Sequence, residues 1–311
     1  MRDRLYLVGF LVGAGILLYL GRDLLERSDI VTLGLTFGGT TAVGVLAVTL
    51  YRVQQELSAS RRELARREAE LSFALQVQQA LLPREFPEGE GLEFAAVCVP
   101  ARGISGDYYD VLRTPDGRLV FAIADVSGKG ISAAILMSNV HAVLRILTAS
   151  SHSPREVCSK LNRHFHQVAA DSRFATLFYG EWNPADRHLA FINAGHNPPL
   201  LIGAGRRERL EAGGPPLGIF PDMDYQVGSL GLEPGDLLVL YSDGITEAGV
   251  DRGEPYGEAR LEALVTGQRE KRLSEIRQEV LATARAWSRG EAEDDMTLLL
   301  VRAREQGKEA T

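Results

Sequence analysis

The chain of 311 residues is poor in cysteine. Its two cysteines, Cys98 and Cys158, fall in apolar strand-like and helix-like patterns. That excludes a disulfide framework and reads as buried, reduced thiols, as in a reducing cytosol. Excess positive charge is missing as well. The net charge is −7, and no basic block stands outside the segment near residue 60, so no nucleic-acid partner is expected. The phosphate-loop pattern is incomplete, because Gly128-Lys129 would need a glycine where Ile123 stands. Zinc-type histidine pairing is absent. His141, His152, His164, His166 and His188 lie on helical or hairpin positions. His196, set among glycine, asparagine and prolines, reads as a structural turn residue. There is no internal repeat and no low-complexity tract.

Charge is also missing from two N-terminal runs, Leu5–Leu20 and Ile30–Tyr51. The second is long enough to cross a hydrocarbon core of roughly 30 Å. The first is slightly short and would need Gly21 or local thinning of the bilayer. A cleaved signal peptide is the rival reading of the first run. Against it, the following residues Gly21 to Arg27 are charged and a second run comes almost at once. Arg2 and Arg4 precede the first run, and Arg52, Arg61, Arg62, Arg66 and Arg67 follow the second. The positive-inside rule puts both termini in the cytoplasm. The expectation is a two-span hairpin in the inner or plasma membrane over residues 1–51, with the rest of the chain cytoplasmic. Gly9/Gly13 and Gly34/Gly38 are spaced for close helix approach, or are glycines of the ordinary kind in spans.

From Arg52 to Leu82 there is neither glycine nor proline. Val53, Leu57, Ser60, Leu64, Arg67, Leu71, Ala74, Gln78 and Leu81 follow a heptad seam, imperfect at Ser60, Arg67 and Gln78. Residues 52–83 therefore read as a linker helix that pairs two chains as a weak coiled coil, with a single solvated amphipathic helix as the alternative. Pro83 is expected to end it. Beyond the hinge Glu85–Gly91 the pattern changes. Strands are expected at Leu92–Val99, Arg118–Ala124, Phe174–Trp182, His188–Asn193, Leu200–Ile202, Tyr225–Leu230, Asp236–Tyr241 and Thr297–Val301. Helices are expected at Ile131–Thr148, from Ser153-Pro154 to about Ala170, at Gly257–Val265 and at Leu273–Ser288. Runs of strands with helices inserted in pairs imply an α+β fold: an antiparallel β-sandwich flanked by helices over residues 84–304, with a tail at 305–311.

Four acidic stretches stand out: Gly106-Asp107-Tyr108-Tyr109-Asp110, Ala124-Asp125-Val126-Ser127-Gly128, Ser242-Asp243-Gly244 and Asp294-Asp295-Met296-Thr297. Asp125 and Asp243 each close an apolar strand-like run. One such aspartate is an ordinary turn or cap residue. Four suggest strand ends converging on hard cations, for which oxygen donors suit Mg or Mn rather than Zn. Two such ions can activate water and clamp a phosphoryl oxygen.

With Arg102 to Asp110, Ala124 to Gly130, Phe174 to Tyr179, Asn193 to Pro199, Ser242 to Glu247 and Asp294 to Thr297, the chain resembles the bacterial PPM (PP2C-like) serine/threonine phosphatases, in the branch of the stage II sporulation phosphatase and the sigma-B regulators. The resemblance implies a two-metal Mn2+ or Mg2+ phosphatase acting on phosphoserine or phosphothreonine, with a phosphorylated anti-sigma-factor antagonist as partner. By the family pattern Asp107 holds one ion, Asp125 bridges both, and the Val126 carbonyl adds a ligand. Asp243 and Asp294 hold the other ion, with Asp295 as fallback for Asp294. Asp110 either binds through water or caps a turn. Arg102 either meets substrate phosphate or is a solvated loop arginine. Gln76 to Pro83 resembles the helix through which that family relays regulation. Two rivals remain: a pseudophosphatase that only binds phosphoproteins, and a membrane cyclase or histidine kinase, in which the Ser242-Asp243-Gly244 and Asp294-Asp295 motifs would have no role.

Overall fold

The computed structural model describes residues 13–17, 19–21, 30–87, 90–101, 103–150, 153–169, 173–289, 292 and 294–304. The chain divides into two compact units, Met1–Glu70 and Leu71–Thr311. In the first, most of the expected span Leu5–Leu20 lies outside the described residues; 13–17 and 19–20 are helical. The second expected span falls in a helix, α1, that runs unbroken over Ile30–Gln79. It stops four residues short of Pro83, with a turn closed by Leu81 N donating to Gln78 O at 3.0 Å. Proline disfavours helical backbone in the residue before it, which draws the end back toward Gln79. Seam residues Val53, Leu57 and Leu64 are exposed.

The second unit is a β-sandwich covered on both faces. The strands are β1 Leu92–Val99, β2 Asp107–Arg113, β3 Leu119–Val126, β4 Ala175–Asn183, β5 His188–Ala194, β6 Leu200–Ile202, β7 Arg207–Arg209, β8 Gly213–Gly214, β9 Gly228–Gly231, β10 Leu237–Tyr241 and β11 Met296–Ala303. One sheet has the order β1-β11-β10-β6-β7, the other β2-β3-β4-β5-β8, with β9 on β5. Pairing is antiparallel except for the short β5–β8 contact. Helices α2 (Ile131–Ala149) and α3 (Pro154–Val168) cover the second sheet; α5 (Glu258–Gln268) and α6 (Leu273–Trp287) cover the first. The expected α+β sandwich is thus the fold observed.

Side-chain alternation sorts the core into three layers. Phe121, Ile123, Tyr109 and Val111 point between the sheets, with Leu240 and Leu299 opposite. Tyr108, Val120, Ala122 and Ala124 point to α2 and α3, meeting Met137, Leu144 and Phe165. Ser153 caps α3 as expected, in a capping box with Glu156 and with Pro154 next in line. Among the described residues the helix long and apolar enough to cross a membrane is α2. Its apolar content includes a core face, with Ala133, Met137, Val140 and Leu144 buried. The strand expected at Tyr225–Leu230 is shorter, confined to Gly228–Gly231, because Tyr225 instead packs under α3 in the helix-side core.

Candidate active site

β2 and β3 are neighbours in register, and Asp107 stands opposite Asp125. Both share the strand parity of Tyr109 and Ile123, so their carboxylates face the gap between the sheets at one end of the sandwich. The other sheet supplies its residues at the same end. β10 finishes at Tyr241, and Asp243 opens a one-turn helix, α4 (Asp243–Thr246). Asp294 and Asp295 lead into β11. Ser242 ties these two segments together. Its N–H donates to Thr297 O at 2.9 Å, its hydroxyl donates to Asp295 O at 3.1 Å, and it accepts from Thr297 N–H at 2.9 Å. Gly244 is required there, since a Cβ would run into the Asp295 carbonyl.

The electrostatics record the convergence. Asp107 is 2 % exposed and its Oδ2 has no hydrogen-bond partner. Burial, and then the charge of Asp125, hold its carboxyl well above the usual carboxylate range. Burial, then Asp243 and Asp294, push Asp125 up to about 7. Asp243 is raised by burial, Glu247 and Asp294. Like charges assembled in a poorly solvated cleft call for a cation. Among the described residues no three His, Cys, Asp or Glu side chains close into a ready-made cage. The set fits hard divalent cations by its chemistry: carboxylate oxygens, one of them buried and orphaned, with the Val126 carbonyl beside Gly106.

Asp294 and Asp295 have different roles. Asp295 accepts from Ala101 N–H and Gly106 N–H, both at 2.8 Å, one on each carboxylate oxygen. It pins the loop before β2 to the start of β11. Asp294 faces Lys129, whose Nζ lies 2.6 Å from Oδ2. Asp110 does neither thing expected of it. Three residues after Asp107, it points to the opposite face of β2, toward α2. There it accepts from Arg145 Nε at 2.7 Å and Nη2 at 3.0 Å, from the Tyr108 hydroxyl at 2.8 Å and from Val111 N–H at 2.9 Å. Arg102 lies outside the described residues.

The polar contacts that support the site were not legible in the sequence. Gln78, at the end of α1, is buried; its amide nitrogen donates to Ser105 O at 2.6 Å and its amide oxygen accepts from Ser105 N–H at 2.8 Å. The Ser105 hydroxyl accepts from Asp107 N–H at 2.9 Å. Both amide contacts are made by one glutamine at a heptad-seam position, where the spacing gives no hint of a buried polar clamp. His196 is the structural residue expected. Its Nδ1 lies 2.8 Å from the Thr176 hydroxyl, behind Asp125, and burial lowers its imidazole to about 4. Cys98 and Cys158 are free. Burial raises both thiols, Cys98 to about 12.

The family profile of stage II sporulation protein E (SpoIIE) matches residues 115–304. The phosphoserine phosphatase RsbU of Bacillus subtilis is 37 % identical over 205 residues, covering 65 % of this chain and 60 % of RsbU. The RsbU and RsbW domains of Rv1364c from Mycobacterium tuberculosis superpose with a TM-score of 0.60 at 27 % identity, over 70 % of this chain and 61 % of that one. The SiaA PP2C domain of Pseudomonas aeruginosa gives a TM-score of 0.68 at 22 % identity, over 78 % and 98 %. The chain spans between 36 % and 60 % of the length of the first curated relatives it matches.

Proposed function

The chain belongs to the SpoIIE family of PP2C-type phosphatases, and on that premise we propose that it is a membrane-anchored, metal-dependent phosphatase that hydrolyses phosphoserine or phosphothreonine on a regulatory protein of the anti-sigma-factor antagonist type. The observation that carries this is geometric: strand register sets Asp107 opposite Asp125, and the Ser242–Asp295 and Lys129–Asp294 contacts bring the Asp243 and Asp294 segments to the same end of the sandwich, where Asp107 Oδ2 has no hydrogen-bond partner. Two Mn2+ or Mg2+ ions, when bound, would supply water activation at neutral pH and charge neutralisation. Asp107 and Asp125, with the Val126 carbonyl, would hold one ion, and Asp125, Asp243 and Asp294 would hold the other. The loop pinned by Asp295, and the Ser242 stitch, keep these donors in place as charge moves onto the phosphoryl oxygens. The carboxylates belong to rigid strand ends, which suits preorganised binding.

Anchoring rests on the uncharged runs Leu5–Leu20 and Ile30–Tyr51. In the second, the described side chains of Phe37, Val43, Val45, Leu46, Val48 and Leu50 are exposed. The hydroxyls of Thr41 and Thr49 donate back to Phe37 O and Val45 O, at 2.8 and 2.7 Å, so the helix satisfies its own polar groups, as a lipid-facing helix must. Pairing of two chains through α1 rests on the exposed seam of Val53, Leu57 and Leu64. RsbU, a phosphoserine phosphatase by name, supports the substrate class. The test is Mn2+-dependent release of phosphate from a phosphoserine antagonist protein by the wild type and by D125N. The variant should lose at least about a hundredfold in kcat with its fold unchanged. Wild-type turnover by D125N in the presence of Mn2+ would reject the site.

A further inference from the structure

Lys129 sits between Gly128 and Gly130, both at positive φ (97° and 78°), in the turn that leads from β3 into α2. These glycines let the chain present the lysine at the mouth of the site. Its ammonium lies 2.6 Å from Asp294 Oδ2, with half of the lysine side chain and about a third of Asp294 exposed. The contact joins the two sheets: β3's turn on one side, the approach to β11 on the other. The lysine's charge also reaches Asp243, whose carboxyl it draws down against burial and the charges of Glu247 and Asp294.

A cation carried by the chain thus occupies one oxygen of a carboxylate that the proposed function assigns to a divalent ion. An ammonium hydrogen-bonded at this distance and an ion bound at about 2.0–2.6 Å from the same oxygen exclude or repel one another. The lysine head group is a compact charge on a flexible stem, so it can leave without disturbing the backbone. We propose that Lys129 is an internal competitor for the divalent cation at Asp294: it stabilises the carboxylate when no metal is bound and raises the cation concentration at which the site fills. This rests on the two-metal reading of the site. Lys129 is a positioning residue here, acting through Asp294 rather than on the phosphoryl group.

The test is calorimetric titration of Mn2+ into the metal-free full chain as wild type, K129Q, K129R and K129Q/D294N. K129Q should bind Mn2+ about fivefold more tightly than wild type, in the range expected for losing one partly exposed ion pair. K129R keeps the charge and should bind like wild type. The K129Q advantage should shrink in high salt, since a half-exposed pair is screened, and should vanish when Asp294 is also replaced. Unchanged or weaker Mn2+ binding by K129Q, with binding itself intact, overturns the role of Lys129 and leaves the metal site standing. Absence of Mn2+ binding in both wild type and K129Q overturns the two-metal reading, and this proposal with it.

Discussion

Replacing Arg145 by methionine separates stability from chemistry in this fold. Asp110 is 1 % exposed and accepts four hydrogen bonds, two of them from the Arg145 guanidinium at 2.7 and 3.0 Å. R145M keeps the aliphatic stem on α2 but leaves the carboxylate with only the Tyr108 hydroxyl and Val111 N–H. Breaking a buried pair from one side costs about 3–5 kcal/mol. Arg145 is 43 % exposed, so water reaches part of the vacated space, and the expected loss falls to about 2–3 kcal/mol. In a domain of this size that lowers the unfolding temperature by about 5–10 °C. Thermal and urea unfolding of R145M against wild type measure it. The double variant D110N/R145M should regain most of the loss, because the uncompensated charge has gone. Mn2+ affinity should stay within about twofold of wild type, since Asp110 points away from Asp107 and Asp125. An R145M protein within about 0.5 kcal/mol of wild type would refute the ion-pair reasoning. A stable R145M protein without Mn2+ binding would return Asp110 to the metal centre.

Other outcomes follow from the same geometry. Burial and the neighbouring carboxylates push Asp125 up to about 7 in the metal-free chain, from an ordinary value of 3.8. Between those values the folded state holds a proton on Asp125 that the unfolded state lacks, so this one group adds stability to the metal-free chain as pH falls below 7, by about 1.4 kcal/mol per unit. A divalent cation must displace that proton. The rise in unfolding temperature on adding saturating Mn2+ should therefore be larger at pH 8 than at pH 6, and equal rises would refute the assignment. His196, lowered to about 4, pushes the other way below 6.5, but it cancels when samples with and without Mn2+ are compared at one pH. Q78A leaves the Ser105 N–H and C=O without their partner and should cost about 1–3 kcal/mol, read by urea unfolding; no measurable loss would show that water replaces the amide. Deleting residues 1–55 should release the protein from membranes and weaken its self-association, checked by flotation and sedimentation; a truncated form that still floats with lipid would refute anchoring by the N-terminal runs.

Asp125 and Asp243 were legible because each ends an apolar run, and such runs become buried strands. Ser153-Pro154 was legible because capping is local chemistry. Asp110 was not, since its fate depends on strand parity and on an arginine 35 residues later. The division of labour between Asp294 and Asp295 was also hidden, because the amides that occupy Asp295 belong to Ala101 and Gly106, distant in the chain. Asp107–Arg113 escaped notice as a full strand because its two aspartates broke the apolar pattern. Tyr225 supplied aromatic bulk that looks strand-like in sequence yet serves to fill the space beneath α3.

Because one pair of carboxylates stands at the end of each sheet, with Asp295 reaching from the approach to β11 to the loop before β2, the acidic cluster straddles a seam between the two layers. Any shear of one layer against the other widens or narrows it before any donor changes rotamer. A cation held in that seam would rivet the two layers, so adding Mn2+ should slow amide exchange deep in β3 and β10 alike.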